Sequence, residues 1–255
     1  MPTPLAQASP GYFIRGEFLI VALIGNSPSC GYVPNNGRLR DAFKRELRLL
    51  ADKEILYRLT DVLPSDFFFL GERPAHAARG AAYLLQNREL LNENCWLISD
   101  TLEAGCTVTA LVPNTSSPDE FTVIRNIINQ AVPGNPKLSV GLMVETEFAS
   151  KNLHLFSNAA AFFPGPSDLI AEKRDVGRGA FTGHMVAGGI LEAICADFLG
   201  GLQDLACPRP IFTIKDMNNR LMTTPEVWRT YVYTSPERFL TAKEQQDILG
   251  VKSVS

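Results

Sequence analysis

The chain has 255 residues, 45% hydrophobic and 20% charged, so it can bury a core and intrinsic disorder is not expected. Its net charge of −3, without a block of lysine or arginine, argues against a nucleic-acid-binding protein. The apolar stretch at 18–24 is too short to cross a bilayer, and residues 1–10 lack the positive charge of a secretory signal. Five scattered cysteines without a Cys-x-x-Cys pair favour a reducing compartment. We therefore expect a cytoplasmic protein without a membrane partner.

Apolar runs alternate with helical patterns along the chain. After a flexible tail at 1–10, the pattern predicts a strand within 12–24, a helix at 38–52, a strand at 55–59, a helix within 77–91, a strand at 108–112 and a helix at 117–132. Ser117 is the expected cap of that last helix. The pattern continues with a strand at 138–144, a helix at 148–158, a strand at 160–163, a loop at 165–168, a helix at 185–205, strands at 210–214 and 230–233, and a helix at 236–249.

This alternation of strands and helices predicts a parallel sheet. Seven or eight such repeats in about 250 residues is the length of one closed barrel with eight strands and eight helices. We therefore predict a single (β/α)8 TIM barrel over residues 11–255.

Polar residues follow the predicted strands, at the end of the barrel where chemistry is expected. Taken singly, each is more often a surface ion pair or a helix cap, so only their joint occurrence indicates a site. Arginine side chains match carboxylates and phosphates, and two carboxylates from neighbouring strands can hold Mg²⁺. The pattern thus predicts a site for a small anionic substrate chelated to a metal. The candidates are Arg15, Glu17, Arg58, Asp61, Arg79, Asn114, Glu145, Asp168, Lys215 and Asp216.

Short motifs run through the chain in a fixed order. They read Gly-Tyr-Phe-Ile-Arg-Gly-Glu-Phe-Leu-Ile at 11–20, Arg-Leu-Thr-Asp at 58–61, Ala-Arg-Gly-Ala at 78–81, Val-Pro at 112–113, Gly-Leu-Met-Val-Glu at 141–145, Phe-Phe-Pro-Gly-Pro-Ser-Asp-Leu at 162–169 and Thr-Ser-Pro at 234–236. In this order they resemble the phosphoenolpyruvate/pyruvate-binding barrel of the phosphoenolpyruvate (PEP)-utilising enzymes, such as phosphoenolpyruvate synthase, pyruvate phosphate dikinase and enzyme I. The segment at 165–169 is also similar to the loop of the HpcH/HpaI aldolases.

The resemblance implies roles for five of these residues and for Ser167, which would contact the substrate. Arg15, Arg58 and Arg79 would bind the phosphate or carboxylate of a PEP-like substrate, with Arg15 and Arg58 as catalytic residues. Glu145 and Asp168 would hold Mg²⁺ or Mn²⁺, which would stabilise an enolate. Barrels of this family commonly dimerise, so the resemblance also implies a homodimer.

Three departures from the family pattern shape the functional expectation. Ser167 stands where the family has a substrate-contacting Asn. Ile214 stands near the position of the Cys that protonates the enolate, and Cys207 comes too early to replace it. The nucleotide-binding and phosphohistidine domains have no counterpart in this sequence. We therefore expect a Mg²⁺-dependent enzyme that cleaves or forms C–C bonds on PEP, pyruvate or a related 2-oxo acid.

Two alternatives remain open. One is phosphotransfer between PEP and pyruvate, with a phosphohistidine domain supplied by a partner. The other is a non-catalytic regulatory module that binds PEP without turning it over.

Overall fold

The protein has a mixed α/β fold in which a curled parallel sheet alternates with helices. The structure is a computed structural model and describes residues 11–16, 44–45, 47–61, 79–173, 197, 211–214 and 228–234. The strands in these ranges are β1 (Gly11–Arg15), β2 (Glu54–Arg58), β3 (Thr107–Val112), β4 (Leu138–Val144), β5 (Phe162–Pro164), β6 (Ile211–Ile214) and β7 (Trp228–Thr234).

Every strand pairing in the sheet is parallel, as the sequence predicts. The strands pair in chain order from β1 to β7, and β7 pairs with β1. The described strands number seven, and β2 pairs directly with β3 through Ile55 opposite Val108. Arg79 therefore does not lie on a strand between them, although the motif at 78–81 resembles part of the third strand of the PEP-utilising enzymes. The parallel α/β architecture is confirmed, and the eight-stranded barrel stays a prediction.

Helices follow the strands of the first part of the sheet. They are α1 (Gly80–Gln86), α2 (Arg88–Glu103), α3 (Pro118–Ala131), α4 (Glu147–Lys151), a 3₁₀ helix (Leu153–Phe156) and α5 (Pro166–Lys173). The helix predicted within 77–91 is thus two helices, the second extending to Glu103, and the loop predicted at 165–168 is largely the first turn of α5. Residues 44–45 and 47–49 of the helix predicted at 38–52 are helical. The helix predicted at 236–249, and all of that at 185–205 except residue 197, lie outside the described residues.

The start of α3 shows why the sequence pattern succeeded there. Ser117 has extended backbone angles, and its side chain accepts a hydrogen bond from the backbone N–H of Glu120 at 3.3 Å. The Glu120 carboxylate accepts one from the backbone N–H of Ser116 at 2.8 Å. Pro118 occupies the first helical turn, where its missing N–H costs nothing. The predicted cap is confirmed.

The buried side chains form two apolar clusters on opposite faces of the sheet. The larger one joins strand residues such as Ile14 and Tyr57 to helix residues, so it fills the space between the sheet and the helices. The smaller one lies inside the curl of the sheet and comes almost entirely from strand positions of the opposite parity. The rings of Phe13 and Phe163 stack there at a centroid distance of 5.1 Å. The smaller cluster consists of Phe13, Leu56, Leu111, Met143, Ala161 and Phe163.

Among the described residues, no helix is both long enough and apolar enough to cross a lipid bilayer.

Candidate functional site

The candidate site lies directly above the smaller cluster, at the carboxyl ends of the strands. Because side chains alternate between the faces of a strand, the residue two positions after an inward-facing one also faces inward. Arg58 follows Leu56 in this way, and Glu145 follows Met143. Both charged residues are buried, at 4% and 3% exposure. The alternation of side chains along the strands thus places Arg58 and Glu145 on the inner face of the curled sheet, at its carboxyl end.

Arg79 links two carboxylates that come from different parts of the chain. Its Nε and Nη2 donate to the two carboxylate oxygens of Asp61 at 2.9 Å and 2.6 Å. Its Nη1 donates to Oδ1 of Asp168 at 2.6 Å. Burial lowers the pKa of Arg79, but hydrogen bonding and attraction from the two carboxylates outweigh it, and the net pKa is raised. The guanidinium is therefore a fixed positive charge between Asp61 and Asp168.

Glu145 is a buried carboxyl group whose pKa is strongly perturbed. Burial, followed by the negative charges of Asp61 and Asp168, raises its pKa to about 7, against the opposing effect of Arg58 and Arg79. One carboxylate oxygen lies 3.9 Å from Nη1 of Arg58. The other accepts a hydrogen bond from the backbone N–H of Asn114 at 2.8 Å. A buried carboxyl group that titrates near neutrality, among specific charged partners, is characteristic of functional sites.

Two glycines allow this cluster to close. Gly80 has a φ of +54°, and a Cβ there would lie 2.5 Å from Cβ of Asn114 and 2.7 Å from the carbonyl oxygen of Pro113. A Cβ on Gly165 would lie 2.4 Å from Cγ of Glu145. Only glycine fits at either position without a shift of its neighbour. The Arg-Gly and Pro-Gly-Pro segments of the sequence are therefore required by close packing around the site.

Asn114 contributes an amide as well as its backbone. It has a φ of +42°, a left-handed conformation that Asn tolerates better than most residues. With Oδ1 facing Arg79, the amide accepts from Nη1 at 3.2 Å and from Nε at 3.3 Å. Asn114 thus touches both Arg79 and Glu145 at the end of β3.

The structure brings four of the six predicted residues into one buried charge cluster: Arg58, Arg79, Glu145 and Asp168. Arg15 is half-buried. It lies beside this cluster, because it is paired with Arg58 at the ends of β1 and β2. Ser167 lies next to Asp168 in the first turn of α5. The other candidates Glu17, Lys215 and Asp216, and the cysteine at 207, lie outside the described residues.

Arg79 uses part of its guanidinium group within the protein. Three of its N–H groups donate to the carboxylates of Asp61 and Asp168, and its contact with a substrate anion stays a prediction. Arg79 lies at the start of α1, in extended conformation.

Sequence analysis missed Asn94, which is completely buried in α2 and contacts the residue before Asp61. The available signal was a lone amide within an apolar stripe of Leu91, Cys95 and Ile98. Because the predicted helix stopped at 91, that stripe was not recognised. Asp61 was noticed as a strand-end residue, but its place between Arg79 and the β2 terminus could not be read from spacing.

The oxygen donors of the cluster suit a divalent cation. Within the described ranges, no group of three or more His, Cys, Asp or Glu side chains is arranged to hold a metal. Mg²⁺, however, is commonly held by one or two carboxylates, with substrate oxygens and water completing the shell. Glu145 and Asp168 supply that number, and the carboxylates of Asp61 and Asp168 add to burial in raising the pKa of Glu145. The residues present therefore fit such an ion.

No protein-family model matches the chain, and no curated protein is significantly similar to it in sequence.

Proposed function

We propose that this chain is a metal-dependent enzyme on a (β/α)8 barrel of the PEP/pyruvate-binding type, acting on a small 2-oxo acid or its enol phosphate. The observation that carries the proposal is the convergence of Arg58, Arg79, Glu145 and Asp168 from separate elements into one buried cluster. That cluster lies at the carboxyl end of a parallel sheet, where active sites of such folds are built. The parallel pairing from β1 round to β7 supports the barrel part of the proposal.

The charge pattern supports an anionic substrate. Arg58 is buried, and its register partner Arg15 lies beside it at the strand ends. A guanidinium group presents a planar set of donors that matches a carboxylate or a phosphate. In the proposed site Arg15 and Arg58 bind and orient the substrate anion, and Arg79 holds Asp168 in place.

Glu145 and Asp168 would hold Mg²⁺ or Mn²⁺. When bound, such an ion supplies a Lewis acid that stabilises negative charge on a developing enolate oxygen. The enclosed position of Glu145 keeps bulk water away from this charge, which strengthens every electrostatic interaction there.

The sequence at the end of β6 favours C–C bond cleavage or condensation over a reaction in which the protein protonates the enolate. In the resemblance above, a cysteine near this point protonates the enolate, whereas β6 of this chain reads Ile-Phe-Thr-Ile and ends at Ile214. In condensation the enolate carbon attacks an acceptor carbonyl, whose oxygen takes up a proton, so the enolate carbon itself needs none. In cleavage the C4 hydroxyl gives up its proton and the released enolate takes one from water, so no cysteine is required at that position. We therefore propose C–C bond cleavage or condensation as the reaction.

The test is a thermal shift with oxalate, which mimics the pyruvate enolate, with and without Mg²⁺. The variant is Glu145→Gln and the matched control is Glu103→Gln, whose side chain is 67% exposed. A ligand at about one hundred times its Kd adds about 2.7 kcal/mol of stability, which is easily measured. Stabilisation that needs both oxalate and Mg²⁺, persists in Glu103→Gln and disappears in Glu145→Gln supports the site.

The absence of any shift in the wild-type protein would refute the proposed function. If the shift is seen, 2-oxo acids that carry a hydroxyl group at C4 are the substrates to screen for cleavage, because loss of the pyruvate enolate turns that carbon into a carbonyl. Binding without turnover of any of them would instead support the non-catalytic alternative.

A further inference from the structure

Asn94 is a buried amide on α2 that the charge cluster does not include but that binds the segment carrying it. Its Oδ1 accepts hydrogen bonds from the backbone N–H of Thr60 at 3.1 Å and from the hydroxyl of Thr60 at 3.2 Å. The hydroxyl of Tyr57 donates to the same oxygen at 3.3 Å. Its Nδ2 donates to the carbonyl oxygen of Leu90 at 2.7 Å, within the helix. All of the hydrogen-bonding capacity of the Oδ1 atom is thus directed at the end of β2.

The polypeptide continues from this contact directly into the site. Thr60 precedes Asp61, whose carboxylate accepts two hydrogen bonds from Arg79. Arg79 in turn donates to Asp168. An uninterrupted series of hydrogen bonds and one peptide unit therefore joins α2, outside the sheet, to the charged residues at its carboxyl end.

The packing around Asn94 shows that this contact is closely fitted. A Cβ on Gly16 would lie 2.8 Å from Oδ1 of Asn94 and 2.7 Å from the carbonyl oxygen of Arg58. The residue after Arg15 therefore leaves room for the amide to reach β2. Burial also raises the pKa of Tyr57 well above its usual value, so its hydroxyl stays protonated and donates to the amide.

An amide is an unusual choice for this position if stability alone decides. Asn94 interrupts an apolar stripe in which leucine would bury more apolar surface, and asparagine is a weaker helix former than leucine. What leucine cannot provide is an acceptor for the buried N–H of Thr60, which needs a partner. The amide thus serves the loop after β2.

We propose that Asn94 is the positioning residue of the charge cluster: by fixing Thr60 it holds Asp61 where Asp61 fixes the guanidinium of Arg79. This proposal rests on the proposed function only in taking the charge cluster as the functional site. Its main measurement is made on the Arg79 side chain and requires no substrate. Asn94 does not touch the substrate position.

The experiment measures how fast the Nε–H of Arg79 exchanges with water, by NMR on ¹⁵N-labelled protein, with the resonance assigned by its loss in Arg79→Lys. In the wild-type protein this hydrogen is bound to Asp61, so we expect its exchange to be slow. Asn94→Leu has nearly the same shape but no acceptor. We expect it to raise the exchange rate about tenfold, the factor for a loss of about 1.4 kcal/mol in the free energy of opening.

The matched control is Thr101→Val in the same helix. Thr101 is completely buried, and its hydroxyl donates to the carbonyl oxygen of Leu97 at 2.7 Å, so the change removes a buried hydrogen bond without touching β2. Exchange at Arg79 should stay at its wild-type rate. If Thr101→Val accelerates exchange as much as Asn94→Leu, general destabilisation explains the effect and the proposal is overturned.

A milder pair of variants keeps the test valid if Asn94→Leu does not fold. Thr60→Val removes the hydroxyl bond to Asn94 and should speed exchange at Arg79, whereas Thr60→Ser keeps the hydroxyl and should not. Unchanged exchange in Thr60→Val or in folded Asn94→Leu would sink the proposal. The oxalate thermal shift on the same proteins separates the two ideas: faster exchange with no oxalate response in any protein refutes the proposed function and leaves the positioning role intact.

Discussion

Glu145 gives the sharpest prediction, because its buried carboxyl group makes the metal-free protein less stable as the pH rises. Its pKa is raised from 4.5 to about 7 in the folded protein. The folded state therefore keeps a proton that the unfolded state has already lost over this range, and stability falls between about pH 4.5 and pH 7. At about 1.4 kcal/mol for each pKa unit, the free energy of unfolding is lower by about 3 kcal/mol once the pH has risen above 7.

Glutamine has the shape of the protonated carboxyl group at every pH. We expect Glu145→Gln to match the wild-type protein at pH 5 and to be more stable than it by about 3 kcal/mol at pH 8. The amide oxygen can still accept the hydrogen bond from the backbone N–H of Asn114, so little else changes. The measurement is urea denaturation at both pH values in EDTA, which removes any divalent ion.

The difference in unfolding free energy between the two proteins cancels the contributions of all other titrating groups. Glu103→Gln, with its exposed side chain, should show no comparable dependence on pH. If Glu145→Gln lowers stability equally at pH 5 and pH 8, the carboxyl group is not the source of the pH dependence. The assigned burial and charge neighbours of Glu145 would then be wrong.

Three further changes test the packing and charge around the site, each by urea denaturation. Gly80→Ala should cost at least about 3 kcal/mol, because it adds a severe clash to a left-handed φ, whereas Gly134→Ala, with φ +68° and nothing within 4 Å, should cost only about 1 kcal/mol; equal losses would contradict this. Ser117→Ala should cost about 1 kcal/mol through the lost cap, and Ser116→Ala nearly nothing, since Ser116 contributes only its backbone. Arg79→Lys should cost about 3 kcal/mol, since lysine cannot replace the forked contact to a buried carboxylate; an unchanged midpoint would count against the ion pairs.

Local chemistry explains which elements the sequence predicted well. The start of α3 carries its own cap in Ser117 and Glu120, so its boundary needs no information from the rest of the chain. The runs that became β3 and β4 are rich in Val, Leu, Ala and Met and are buried along most of their length, as strands of a parallel sheet covered by helices are. These signals act within a few residues, and the sequence pattern reports them faithfully.

Contacts between distant residues explain what the sequence did not reveal. The boundary between α1 and α2 falls at Asn87, where no Gly or Pro marks it, so one helix was expected and its end was misplaced. The role of Asp61 depends on Arg79, which lies 18 residues away along the chain. Spacing along the chain predicted which residue types meet, but their pairing is set by the register of β2 directly against β3.

The charged residues at the carboxyl end of the sheet lie where stability alone does not explain them. Two positive and three negative side chains share an enclosed space above an apolar cluster. They are Arg58, Arg79, Asp61, Glu145 and Asp168. Buried ion pairs seldom add stability, and apolar residues of similar volume often serve a fold as well or better. Burial, with Asp61 and Asp168 adding to it, raises the pKa of Glu145 against the opposing effect of the two arginines, so the charged form of Glu145 is disfavoured there. A folding requirement alone gives no reason to keep a carboxyl group in such a place, whereas the proposed site for a cation and an anionic substrate does.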